Sequence, residues 1–420
     1  MRTKSDSRKG GTPERVLLLG CDALQLMREE NVSLDDYLDI YLPDPDFRRL
    51  LGALLSEYFR YKVLFSRELT AYVRKVPAPY ICDVILLTLI QCRILHTLPP
   101  PVAVDVAIAV LRQKESGSVA AFANAILRKM VSSAWMLSDS SIIECLPPAV
   151  LKHWRKFYDD RTLKELANCF LAGGKFTFRA CGEYVPKIEC SALSLDFCGP
   201  YRFYTAESGA ELVKSEALRE GKIYIQDPAP AMSATMTQVQ CGAKVLDLCA
   251  APGGKSLLLW EGMKHKGTIV AADRSARRQR MTQDNFRRYH VDGGKVITFD
   301  GAQESNWKAL DCKFDLVFVD APCSNTGVFR RRPDALHRFS SKALLENRSL
   351  QWKLLQNAAK AVISGGTLLY STCSIEPDEN MRMIKRFLEH YPNEFILEEE
   401  RQLLPGAYHD GAYAARLRRK

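Results

Sequence analysis

The sequence predicts an open, doubly wound α/β domain, preceded by an all-α domain and a small α+β domain. Three observations carry this reading. From Arg15 to Met130 apolar residues recur at helical spacing, as in Leu50, Leu51, Leu54, Leu55 and Tyr58, and again in Ile85, Leu86, Leu89 and Ile90. Short β-like pieces then appear at Phe176–Ala180, Lys187–Leu193, Tyr201–Thr205 and Lys222–Gln226. From Ala243 onward short apolar strands alternate with helical stretches, the rhythm of a parallel sheet buried on both faces.

The boundaries follow these changes: residues 1–145 all-α, 146–240 α+β, 241–420 α/β. Residues 1–12, polar and basic, are expected to form a mobile arm, and one helix is expected around Ala149–Leu171. The predicted strands of the last domain are Lys244–Leu248, Thr268–Ala272, Lys295–Phe299, Phe314–Val319 and Thr367–Ser371, with two later ones near Glu394–Leu397 and Ala412–Arg416 closing the sheet edge.

A chain of 420 residues is too long for one core, which agrees with several domains. The most apolar stretch, Ile81–Leu95, is interrupted by Asp83, Gln91 and Arg93, so it reads as a buried helix and not a membrane span. The apolar run near the N-terminus, Val16–Leu19, is too short for a secretory signal. The 13 cysteines include no C-x-x-C pair, which argues for reduced thiols in a cytoplasm and against zinc. The net charge of +10 mildly favours a polyanionic partner.

Two places carry chemistry. Val245–Leu248 runs into Cys249-Ala250-Ala251-Pro252-Gly253-Gly254-Lys255-Ser256, a strand, a glycine turn and a helix start. Glycine lets backbone approach a ligand at the carboxyl edge of such a sheet. Asp273 and Asp300 end the next two strands, where carboxylates can meet ribose hydroxyls and an adenine ring. A nucleotide P-loop would need glycine where Cys249 stands, and the G-x-G-x-x-G dinucleotide pattern is absent. The second place is a pair of loops, Asp320-Ala321-Pro322-Cys323-Ser324 after the fourth strand and Ser371-Thr372-Cys373-Ser374 after the fifth. A cysteine at a strand end more often packs than reacts. Two of them flanking one crevice, one behind Asp-Ala-Pro, read as a reactive pair, although position alone does not distinguish them.

Leu246–Ser256 (LDLCAAPGGKS), Asp320–Gly327 (DAPCSNTG) and Ser371–Ser374 with Pro377-Asp378-Glu379-Asn380 resemble the NOL1/NOP2/Sun family of RNA cytosine-5 methyltransferases. The resemblance covers roughly residues 175–420. It implies a Rossmann-like, seven-stranded class I methyltransferase domain that uses S-adenosyl-L-methionine, held by Cys249 to Lys255, Asp273, Asp300 and Asp320. It implies Cys373 as nucleophile on cytosine carbon 6 and Cys323 in product release; from the chemistry itself, Asp320 is expected to bond ring nitrogen 3 and Lys255 to position or polarise groups beside it. Thiolate attack makes carbon 5 rich enough in electrons to take a methyl group.

Asn31-Val32-Ser33-Leu34 and Phe122–Arg128 are similar to a NusB-like RNA-binding domain fused to one branch of the family, which implies 16S rRNA as partner and a monomer. Asn325 departs from the family's usual glycine, and Met381 from its frequent glutamate. The run Arg330-Arg331-Arg332 is expected to contact phosphate, whereas Arg274, Arg277, Arg278 and Arg280 read as a solvated helix face. The competing readings are a non-catalytic ribosome-assembly factor, the same chemistry on tRNA, and a DNA cytosine methyltransferase. The last lacks a Thr-Cys nucleophile, so Cys373 argues against it.

Overall fold

Helix-start chemistry organises the N-terminal part of the computed structural model, which describes residues 12–42, 44–133, 139–310 and 313–420. The expected arm lies outside the described residues except for Thr12, whose hydroxyl caps α1 (Pro13–Glu30) by accepting from Arg15 N. Proline opens this helix and Asn31, at φ 51°, closes it in the left-handed conformation. Ser33 caps α2 (Leu34–Tyr41) in the same way. There follow α3 (Pro45–Tyr72), α4 (Pro79–Leu89), α5 (Pro100–Lys114), and α6 (Gly117–Ser132), capped by Ser116.

Their apolar stripes meet in one core, where Leu17, Leu55, Phe65, Ile85, Leu87, Val110 and Leu127 are buried. One carboxylate, Asp83, is sunk in this core. The Tyr58 hydroxyl donates to it at 2.7 Å and the Arg28 guanidinium lies 2.7 Å from its other oxygen. Removing either partner would leave a costly buried charge.

The single helix expected around Ala149–Leu171 is two, α7 (Pro148–Trp154) and α8 (Asp160–Ala172). The break falls where Asp159 turns its carboxylate onto the Thr162 N–H at 2.8 Å, starting a new helix instead of continuing the old one.

The second part begins with β1 (Thr177–Ala180), β2 (Cys190–Leu193), β3 (Phe203–Ala206), α9 (Gly209–Lys214), α10 (Glu216–Arg219) and β4 (Ile223–Ile225). The strands form an antiparallel sheet in the order β2-β3-β1-β4. The piece expected over Lys187–Leu193 is a strand only from Cys190.

Then come α11 (Ala229–Thr235), β5 (Lys244–Leu248), α12 (Gly254–Gly262), β6 (Thr268–Asp273), α13 (Ala276–Arg288), β7 (Gly294–Thr298), α14 (Glu304–Leu310) and β8 (Phe314–Asp320). The chain ends with α15 (Asp334–Arg338), α16 (Ser341–Ala361), β9 (Val362–Thr372), α17 (Met381–His390), β10 (Phe395–Leu403) and β11 (Ala412–Arg419). The seven strands order as β10-β11-β9-β8-β5-β6-β7; β5 to β9 pair in parallel and β11 runs antiparallel to both neighbours. The expected fold class is the observed one.

The strand order reverses between β5 and β8, so their carboxyl ends open the crevice where ligands bind in such sheets. Core side chains such as Leu246, Val317, Leu368 and Leu417 on one face, and Val245, Phe318, Leu369 and Ala414 on the other, are buried.

The chain divides into two compact units, 1–172 with 331–338, and 173–330 with 339–420. The antiparallel sheet thus falls in the same unit as the seven-stranded one, and α15 belongs to the helical unit. There His337 bonds to the Phe59 carbonyl at 2.7 Å and Asp334 accepts from Leu34 N at 3.2 Å. Among the described residues no helix is long and apolar enough to cross a membrane.

Candidate active site

The loop after β5 is shaped by two left-handed residues, Cys249 at φ 62° and Gly253 at φ 98°. Gly253 is also the N-cap of α12, and a side chain there would press on Thr282. Arg278 of α13 donates to the Ala251 carbonyl and Asn285 to that of Pro252 at 2.8 Å, bracing the loop from outside. Asp273, at the end of β6, accepts from Ala251 N at 3.3 Å and Ser275 N at 2.9 Å. Each of its oxygens keeps a lone pair for a further donor. Asp300 accepts from Ala302 N at 3.0 Å, and with Arg274, Gln303 and Asn357 it lines a cavity of about 670 Å³.

Asp247 was not singled out in the sequence, yet it lies wholly buried in β5, one turn of strand below the loop. Ser256 donates to one of its oxygens at 2.5 Å, and the other finds no partner. Burial pushes this carboxyl up to about 7, against the Ser256 bond.

Parallel pairing of β8 with β9 puts Asp320 opposite Ser371 and sets the two cysteine loops side by side. The Sγ atoms of Cys323 and Cys373 are 3.3 Å apart. Lys255 Nζ bonds to Asp320 Oδ2 at 2.7 Å, and the Ser371 hydroxyl donates to Oδ1 at 2.8 Å. Burial opposes the charge on Lys255, but Asp320 outweighs it and raises the ammonium above its ordinary value. The hydrogen bond to Cys373, reinforced by burial, lifts the Cys323 thiol well above the usual range. Cys249 is also raised, by burial and by Asp273, and holds its proton in the loop wall.

A network little marked in the sequence holds the cysteine loops. Glu379, fully buried, accepts from Ser324 N at 2.9 Å, from the Ser324 hydroxyl at 2.6 Å and from Gln351 of α16 at 3.1 Å. Gln351 also donates to the Pro322 carbonyl at 2.9 Å. Asn380 joins Thr372 Oγ1 at 2.6 Å to the Ser374 carbonyl at 2.9 Å. Gly327 donates to the Cys373 carbonyl at 3.0 Å and accepts from Gly411 N at 2.8 Å. Only the spacing of Pro377 to Asn380 hinted at these roles.

The arginine run after the loop corrects its expectation in part. Arg330 is buried and donates to the carbonyls of Gly173, Ala407 and His409, so it ties its own loop to two others and does not face solvent. Arg332 lies 2.8 Å from Asp35, a neutralised pair. Arg274, Arg277, Arg278 and Arg280 are exposed, although Arg278 is engaged with the loop after β5.

Residues 234–418 match the family model described as 16S rRNA methyltransferase RsmB/F. Over this stretch the chain is similar to the RsmB/F methyltransferases. The chain is 26% identical to the probable ribosomal RNA small subunit methyltransferase B of Bacillus subtilis, over 82% of this chain and 81% of that one. It is 34% identical to the ribosomal RNA small subunit methyltransferase B of Citrobacter koseri, over 51% of each. Thus the RsmB/F resemblance to that relative spans about half its length. The solved structure of PH0851 superposes on 98% of this chain and 100% of its own, with a TM-score of 0.75 at 20% identity, a likeness of fold.

Proposed function

We propose that this protein is an S-adenosylmethionine-dependent methyltransferase acting on carbon 5 of a cytosine in small-subunit rRNA, with Cys373 as nucleophile. The observation that carries the reading is the pair of thiols 3.3 Å apart beside the Lys255–Asp320 pair. The names of the small-subunit rRNA methyltransferases to which the chain is similar supply the substrate class.

The residues of the β5 crevice fit the cofactor. Asp247 keeps an orphaned buried oxygen, Asp273 offers lone pairs at the end of β6, and Asp300 borders an open cavity. Asp273 would hold the ribose and Asp300 the adenine, with Gly253 and Gly254 keeping the wall thin. When bound, S-adenosylmethionine supplies an electrophilic methyl group.

The chain's own part is as follows. Cys373 adds to carbon 6 as the thiolate. Cys323, its thiol held protonated, donates toward that sulfur in the resting pair. Asp320, anchored by Ser371, shares a proton with ring nitrogen 3 as negative charge develops there, and Lys255 is the acid behind it. Once carbon 5 is methylated its proton must leave, so that Cys373 is expelled as thiolate. Cys323 passes its own proton to solvent water as the base enters, and its thiolate then takes the carbon 5 proton, the C5–H electron pair restoring the 5,6 double bond as the bond to Cys373 breaks. The base must be unstacked to reach the thiols, so single-stranded or flipped-out RNA is the substrate.

Trapping tests the assignment. Cys323→Ala is expected to accumulate a covalent RNA adduct that survives a denaturing gel, and Cys373→Ala to form none. The opposite pattern would exchange the two roles. Bisulfite sequencing of rRNA and tRNA with and without the gene separates the two substrates. Loss of a cytosine signal only in tRNA would overturn the rRNA reading.

A further inference from the structure

One amide touches both members of the thiol pair. Asn325 sits in the loop after β8 at φ 59°, a left-handed conformation that asparagine adopts more readily than most residues. Its amide nitrogen donates to the Cys323 carbonyl at 3.2 Å, which fixes which way round the amide lies. Its oxygen therefore faces the Cys373 sulfur, 3.0 Å away. An amide oxygen only accepts, so a neutral thiol satisfies it and a thiolate does not.

Other groups that bear on Cys373 come from each neighbouring element. The Cys323 thiol lies in the same loop as Asn325. Lys255 of α12 brings positive charge, and Asp320 at the end of β8 offsets it. Glu379, ahead of α17, lies behind Cys323. Asn325 differs from the charged groups because it acts only through the direction of its dipole.

We propose that Asn325 is a positioning residue that holds the Cys373 thiol protonated and aimed across the loop until the target base displaces the amide. The idea rests on Cys373 being the nucleophile. It gives the departure from the family's usual glycine a purpose: the resting thiol is guarded against stray electrophiles, and ionisation is coupled to RNA entry. In chemical terms, the hydrogen that Cys373 donates to the amide oxygen passes as a proton to solvent water when the amide moves away, and the S–H electron pair stays on sulfur.

The experiment is alkylation of the full-length protein by iodoacetamide across pH, read on the Cys373 peptide by mass spectrometry. Asn325→Gly keeps the left-handed backbone and deletes the amide. It is expected to alkylate Cys373 about threefold or more faster at pH 7, with a lower pH midpoint, because a bond to the neutral form is lost. Asn325→Asp puts a charged acceptor in the same place and is expected to raise the midpoint. An unchanged or raised midpoint in a folded Asn325→Gly protein overturns the proposal. If that variant does not fold, a midpoint at or below wild type in Asn325→Asp overturns it. The readout follows the thiol itself. Methylation persisting in Cys373→Ala would instead overturn the nucleophile assignment and leave the alkylation result standing.

Discussion

At the scale of single residues, the site depends on how closely three backbone segments approach. Gly327 is the point of contact: a β-carbon there would lie 2.7 Å from both the Cys373 and the Gly411 carbonyl oxygens. Backbone cannot yield to that contact as a side-chain tip would, so Gly327→Ala must separate the loops. We expect it to cost about 2 kcal/mol or more of stability. It should also slow formation of a Cys323–Cys373 disulfide by a mild oxidant, because the sulfurs move apart. A melting temperature and oxidation rate equal to wild type would refute this.

The same residues show what sequence could and could not convey. Cys323, Cys373, Asp320 and Lys255 stand in motifs whose order declares a strand-end site, and the fold joins them as two bonded pairs. Gln351 carries no such mark, and Glu379, although it stands in a matching stretch, shows no role there. A buried glutamate reads as an ordinary polar residue until the chain folds and a loop N–H and a helix side-chain amide turn toward it. Arg330 fails in the opposite sense. A run of three arginines suggests a polyanion, but one member faces three carbonyls that only tertiary structure assembles.

At the scale of elements, the central parallel strands β5, β6 and β8 were legible because each is short and apolar on both faces. Helix boundaries were less so, since the Asp159 cap that splits α7 from α8 competes locally with a continuous apolar stripe. Least legible was α15. Five residues have too little period to reveal a helix, still less its place against α3.

His337 of α15 gives this contact a pH dependence. Burial, with Lys62 nearby, lowers the imidazole from 6.5 to about 4. The unfolded chain binds the proton first, so the contribution of this contact is complete above pH 6.5 and falls as the pH drops toward 4. The slope is at most about 1.4 kcal/mol per pH unit. His337→Leu should flatten the stability curve of the helical unit in that window, relative to wild type. Parallel curves from denaturant titrations at several pH values would exclude the effect.

At the scale of the whole molecule, the chain visits the helical unit twice, in residues 1–172 and again in 331–338. The second visit contributes the buried Ala335 and Leu336 and the Asp334 bond to Leu34. A protein comprising residues 1–172 alone is therefore expected to melt lower than the unit does in the full chain. A peptide spanning 329–340, added in excess, should raise its melting temperature by ligand-like mass action. No shift at any peptide concentration would mean that α15 contributes nothing to the unit.

That out-and-back excursion also bears on ancestry and on engineering. A helical unit made only of the first 172 residues would be a cassette, portable by a single crossover. Here a faithful transplant needs two further breakpoints, one of them the peptide bond between Arg330 and Arg331, at the exit of the loop that bears Cys323. Recombination that swaps the front of such a chain without the matching octapeptide produces a mismatched chimera. The two parts are thereby constrained to be inherited, or redesigned, together.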